Sequence, residues 1–130
     1  MTESAQSQQY FSLEQANSTL LFIRPRMTLI MELRQRLIEM RPDLWPVIQK
    51  AAGNGGSLIA SSAGQDFEKL DRLVREIQGT GAIIKDLNIG LVDFLHERFG
   101  RVVYLCWKYD EPEIMFWHEL DTGLAGRKPV

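Results

Sequence analysis

The sequence predicts an α+β fold, with a long kinked antiparallel helical hairpin packed on a small antiparallel β-meander of about four strands. Two observations predict it. Apolar residues recur at helical spacing up to Gln78, then at the short runs of β-structure after Gly81. Glycine clusters, Gly53-Asn54-Gly55-Gly56 and Gly79-Thr80-Gly81, fall where the elements must end. The 130 residues are 45% apolar and 25% charged, the composition of a globular protein able to bury a core. They read as a single domain, with the hairpin over about 12–79 and the meander and C-terminal tail over about 82–130.

Residues 1–10 read as a loose polar tail. Ser12 is placed to cap a helix, with Gln15 at the position a capping box requires. Leu13, Ala16, Leu20, Ile23, Met27 and Ile30 follow at alternating three- and four-residue steps. That spacing is a coiled-coil seam, which one helix cannot bury alone. Pro25 lies inside the run and predicts a kink near residues 21–25. Pro46 could open a short helical turn before the glycine-rich loop. A second helix follows, with Ile59, Ala63, Phe67, Leu70, Val74 and Ile77 as its apolar stripe, and Glu68–Arg72 and Asp71–Arg75 as outer pairs.

The runs "AIIKDL", "GLVDFL", "RVVYLCWKY" and "EIMFWHEL" read as four strands joined by turns at Asn88-Gly90, "HERFG" and "DEP". In the third, Val102, Tyr104 and Cys106 share one face and Val103, Leu105 and Trp107 the other, so both faces are apolar. The hairpin can cover one. The uncovered face and the unfilled seam both point to a homo-oligomer, most simply a homodimer.

The segments "YFSLEQANSTLLFIRP", "KDLNIGLVDF" and "YLCWKYDEPEIMFWHELDTGLAGRKP" resemble an uncharacterised bacterial family, domain of unknown function 2203, from about Phe11 to Pro129. Gly90-Leu91-Val92-Asp93-Phe94, Leu105-Cys106-Trp107, Trp117-His118 and Gly126-Arg127 stand in that family's order. Where members often carry proline after the Asp-Phe pair, this chain has Leu95, which bears on the strand's end and on no chemistry. The resemblance implies a small cytosolic bacterial protein and supplies no activity.

Charge and cysteine usage narrow the classes further. The formal charge of −2 gives no drive toward nucleic acid, and the aromatic strands have acidic neighbours rather than the basic ones an RNA-binding sheet needs. The polar N-terminus lacks a signal-peptide profile, no apolar run reaches the ~20 residues a membrane span needs, and one cysteine fits a reducing compartment. A cytoplasmic protein without a membrane role is expected.

Candidate site residues follow from chemistry-bearing side chains among the strands. Asp93 is a carboxylate in an otherwise apolar strand and needs a partner. Pairing Leu95 with Arg101 would set Asp93 opposite Val103. A two- or four-residue turn at 109–112 would set His118 opposite Val103 as well. Asp93 and His118 then lie in one row, about 10 Å apart across three strands, with Trp107 farther along the same face. In that register Cys106 faces away from His118. With an odd turn it shares the face but lies about 13 Å off, which disfavours it as a ligand. Arg127 could pair Asp93, Glu119 or Asp121, or meet a ligand's carboxylate or phosphate.

Asp93, Trp107, His118 and Arg127 are therefore the candidate residues for a small polar ligand. Asp93, His118 and Glu119 are the candidates for a divalent metal. His96 and Glu97 read as exposed turn residues. The expected function is a non-catalytic homo-oligomeric binding or scaffold module with a polar-aromatic site on its sheet. The alternative is a metal-assisted enzyme using His118 with Asp93 or Glu119.

Overall fold

The computed structural model describes residues 9–53 and 57–130, with backbone only at 57–63. Residues 1–8 of the expected tail, most of the Gly53–Gly56 loop, and the Ile59 and Ala63 side chains lie outside what is described. Helix α1 (Leu13–Met40) begins at the expected capping box: the Gln15 N–H donates to Ser12 Oγ at 3.0 Å, and the Ser12 N–H to Gln15 Oε1 at 2.9 Å. It continues through Pro25. Pro46 opens a short helix α2 (Trp45–Ala51), whose Trp45 indole donates to Asn88 Oδ1 at 2.9 Å. Helix α3 (Ser57–Gln78) contains a kink of its own, since Gly64 (φ 68°, ψ −148°) leaves helical geometry.

The hairpin is antiparallel, with Arg26 paired to Glu76 and Arg36 to Asp66. The α1 seam is filled inside this chain. Ala16, Leu20, Ile23, Met27 and Ile30 are all buried in one cluster with Phe67, Leu70, Val74 and Ile77 of α3 and with the inner face of the sheet. It therefore gives no separate argument for a second copy. Of the two outer pairs, Asp71–Arg75 forms at 3.0 Å, and Asp71 also accepts the Gly53 N–H at 2.6 Å.

The sheet has five antiparallel strands in sequence order: β1 (Ile83–Asp86), β2 (Leu91–Arg98), β3 (Arg101–Lys108), β4 (Phe116–His118) and β5 (Lys128–Pro129). The fifth comes from the tail, which returns along β4 after a 3₁₀ turn at Leu124–Gly126. Pro129 is tolerated there because the strand is an edge. Tyr10 and Phe11 extend the sheet on its other side, bridging β2 at Leu95 beyond the end of β1; the Phe11 N–H donates to the Leu95 carbonyl at 2.7 Å. Among the described residues, no helix is long and apolar enough to cross a membrane.

Two connections set a register different from the expected one. Between β2 and β3 the turn is only Phe99-Gly100, both at positive φ (56° and 74°), the geometry of a type I′ hairpin. The strands therefore run to Arg98 and Arg101, so Leu95 pairs with Tyr104 rather than Arg101 and Asp93 with Cys106 rather than Val103. The β3–β4 connection is longer than a four-residue turn and spans residues 109–115. It is pinned to α1: the Ile114 N–H donates to Asn17 Oδ1 at 2.8 Å, and Arg24 donates to the Glu111 and Pro112 carbonyls. His118 consequently faces Tyr104, and Cys106 faces Phe116.

Ile84, Val92, Phe94, Val103, Leu105, Trp107 and Trp117 thus pack against the helices. Ile83, Asp93, Leu95, Tyr104, Cys106, Phe116 and His118 share the outer face, by their pairing and the two-residue alternation of strands.

Candidate functional site

Asp93, Cys106 and His118 come from three adjacent strands and meet on the outer face. His118 Nε2 lies 3.1 Å from both Asp93 oxygens, and its Nδ1 lies 2.8 Å from the Glu119 carbonyl. A carbonyl only accepts, so Nδ1 is the donor and the ring orientation is fixed. A β-bulge between Ile84 and Asp86 leaves Lys85 unpaired in the ladder. Its ammonium lies 3.3 Å from Asp93 Oδ2 and 4.1 Å from the centre of the Tyr104 ring. Asp93 and His118 are each 1% exposed and Cys106 is fully buried.

Cys106 sits between opposing charges. Burial first, then the neighbouring Asp93 carboxylate, pushes its thiol up to about 12, while Arg127 acts in the other direction. The thiol is a neutral, unreactive group at ordinary pH. Linkage sets a sign: because the pKa is higher folded than unfolded, stability is complete below about pH 8.5 and falls as pH rises toward 12, by about 1.4 kcal/mol per unit. In the presence of a chelator, Cys106→Ala is expected to flatten this alkaline limb relative to wild type in urea-denaturation series. Parallel limbs would mean the thiol does not titrate with unfolding.

The other sequence candidates lie elsewhere. Trp107 is not on the Asp93 face: it pairs with Val92 and is fully buried against the helices, its indole donating to the Glu111 carbonyl at 2.9 Å. The β2–β3 register differs from the expected one by three residues, an odd number, which puts Trp107 on the opposite face from Asp93. Glu119 turns away to Arg101, with a 3.1 Å bond from Arg101 Nε, and that guanidinium holds its carboxyl below the ordinary range. Only its backbone carbonyl serves the site.

Arg127 pairs with Glu111, not with Asp93, Glu119 or Asp121, and its guanidinium stacks 4.0 Å from the centre of the Phe116 ring. Since Phe116 faces Cys106, this pair roofs that end of the cluster. His96 is not in a turn but in β2, half-buried and bonded to the Phe11 carbonyl at 2.7 Å. Cys106, set aside on the expected registers, is instead in the group: one ligand atom each from Asp93, Cys106 and His118 lie within 4.8 Å of one another.

A family model described as Uncharacterized conserved protein (DUF2203) matches residues 9–130. The chain belongs to that family. No curated protein and no solved structure matches it. In this DUF2203 chain the segments that carry the resemblance are those that build the outer-face cluster and its roof. "GLVDF" supplies Asp93 in β2, "LCW" supplies Cys106 in β3, "WH" supplies His118 in β4, and "GR" supplies Arg127 in the returning tail.

Beside the cluster, the same face of the DUF2203 chain carries an open apolar trough. Tyr10, Ile83, Leu95, Val102, Tyr104 and Leu120 line a cavity of about 460 Å³, with Leu120 50% and Tyr10 41% exposed.

Proposed function

We propose that this protein is a non-catalytic binding or scaffold module that self-associates through the outer face of its sheet, the occupant of the trough being a second copy. The observation that carries the reading is the contrast between the two parts of that face. The histidine–carboxylate pair is sealed and its nitrogens are both engaged, whereas the adjacent trough is apolar, open and not covered by any described element. An antiparallel sheet with apolar residues on both faces needs cover on both. In a two-fold contact each trough residue is used twice, and the Arg101–Glu119 pair and Lys85 supply polar groups around it. A reducing compartment suits the single, buried cysteine.

A metal-assisted enzyme using His118 with Asp93 or Glu119 is less well supported, because general acid–base work needs an imidazole that substrate can reach. Sedimentation velocity tests the main reading. Wild type is expected to sediment as a dimer at about 100 µM, a concentration that would populate even a micromolar complex. Val102→Glu, which places a charge in the trough, is expected to give a folded monomer. A wild-type monomer at that concentration, or a dimer untouched by Val102→Glu, would remove the outer face as the interface.

A further inference from the structure

The hydrogen-bonding pattern at His118 contains a mismatch that a positive centre must resolve. Nδ1 is committed as donor to the Glu119 carbonyl, so in a neutral ring Nε2 carries a lone pair. That lone pair points at two carboxylate oxygens, each 3.1 Å away. Three acceptor atoms cannot face one another in a dry interior without a cation or a shared proton among them. A proton satisfies His118 and Asp93 alone, with the neutral Cys106 thiol beside the carboxylate as a further donor. A divalent ion would take one donor atom from each of the three residues, which already lie within 4.8 Å of one another.

We propose that Asp93, Cys106 and His118 form a binding site for a zinc-class divalent cation that clips β2, β3 and β4 together. This goes beyond the self-association reading and does not depend on it.

The donor set is one thiolate, one imidazole and one carboxylate, which suits zinc and argues against magnesium or calcium, whose preferred ligands are oxygens. An ion with bonds of about 2.0–2.3 Å in tetrahedral array holds its ligand atoms about 3.3–3.7 Å apart. The three atoms here are mutually within 4.8 Å, with the His118–Asp93 edge already at 3.1 Å, so side-chain adjustment closes the site. Outer partners are also in place. Nδ1–H on a backbone carbonyl is the arrangement that orients a ligating histidine, and Lys85 bonds the Asp93 carboxylate.

The charges balance. One doubly charged cation enters. The Cys106 S–H bond breaks, and its proton leaves for solvent together with the one shared by His118 and Asp93. The S–metal and N–metal bonds form from the electron pairs those protons leave behind, and the O–metal bond from a lone pair of the Asp93 carboxylate, with no change in oxidation state. A 2+ ion with one thiolate, one carboxylate and a neutral imidazole leaves the buried centre uncharged. The second Asp93 oxygen, also 3.1 Å from His118 Nε2, is placed to complete four-coordination in the closed site. Because β4 has only three residues, a bond to His118 would secure the least extensive strand of the three.

Cobalt(II) reads both stoichiometry and the thiolate. Chelator-stripped protein titrated with Co²⁺ is expected to bind one ion per chain, with a near-ultraviolet thiolate-to-cobalt charge-transfer band and intense visible absorption, both abolished by excess Zn²⁺. Cys106→Ala exchanges one small buried side chain for another and should fold. It is expected to lose the charge-transfer band and to bind at least about 100-fold more weakly, more than the loss of an outer partner costs. His118→Gln, checked for folding by circular dichroism, is expected to do the same to affinity. No cobalt binding by wild type would overturn the proposal, and so would binding without a thiolate band that Cys106→Ala leaves unchanged. Oligomeric state, followed in the same samples, separates this outcome from that of the self-association test.

Discussion

Trp107→Ala is expected to lower folding stability by about 3–5 kcal/mol, the range for removing a fully buried large aromatic side chain. The indole is fully buried in the cluster with Val92 and Leu105, meets the Tyr109 ring edge-on at 6.2 Å between centroids, and has the Arg24 guanidinium 5.4 Å from its centre. Its N–H also holds the Glu111 carbonyl, and the Glu111 side chain accepts the Lys108 N–H at 2.8 Å. Truncation therefore opens a cavity and releases the β3–β4 connection together.

Trp107→Phe separates the two effects. It keeps most of the apolar volume and loses the hydrogen bond, for an expected cost of about 1–2 kcal/mol. Urea-denaturation midpoints at constant slope give both numbers. A loss below about 1 kcal/mol for Trp107→Ala would place the indole outside the core, where it could again be counted as a surface residue.

That Trp107 could be assigned to the wrong face shows where the sequence stops being legible. The helices were readable because their signals are local. Ser12 and Gln15 cap α1, and the stripe from Leu13 to Ile30 shows which side is buried. What that stripe packs against was not readable. A coiled-coil seam and a helix packed within its own chain share the same spacing, and here α3 and the sheet fill it. The strands were readable as strands, down to which residues of β3 share a face.

Pairing between strands was harder, because register follows from turn geometry and a shift of one residue moves a whole strand face. Phe99 at φ 56° is not an expected residue for the left-handed region, so the two-residue turn left no glycine–asparagine signature. The 109–115 connection owes its length to bonds with Asn17 and Arg24, far away in sequence. These two connections together decide that Asp93 and His118 touch, that Cys106 joins them, and that Trp107 does not. Strand β5 has two residues, too few for any periodicity to register.

The second large effect is expected at Asp93, and it depends on what replaces the carboxylate. Asp93→Ala leaves His118 Nε2 without a partner in a site 1% exposed and takes the counter-charge from Lys85. Breaking a buried pair by deleting one member costs about 3–5 kcal/mol, because the other member stays behind in low dielectric. Asp93→Asn is isosteric and offers an amide N–H. A neutral His118, its Nδ1 proton still on the Glu119 carbonyl, can accept that N–H at Nε2, so the bond survives with donor and acceptor exchanged. The expected cost is about 1 kcal/mol, mostly from Lys85, whose side chain is 36% exposed and can turn to water.

If Asn proves as damaging as Ala in metal-free protein, the site requires negative charge rather than a hydrogen-bond partner. A further variant tests the same physics from the other side. Asp93→Val combined with His118→Leu removes both members of the buried pair; Lys85 can turn to water and the Glu119 carbonyl keeps the Thr122 N–H, so the double variant is expected to be more stable than Asp93→Ala alone. Stability retained in that pair would make the carboxylate and imidazole dispensable for folding. Their presence would then call for another reason, and a bound cation in contact with Cys106 supplies one.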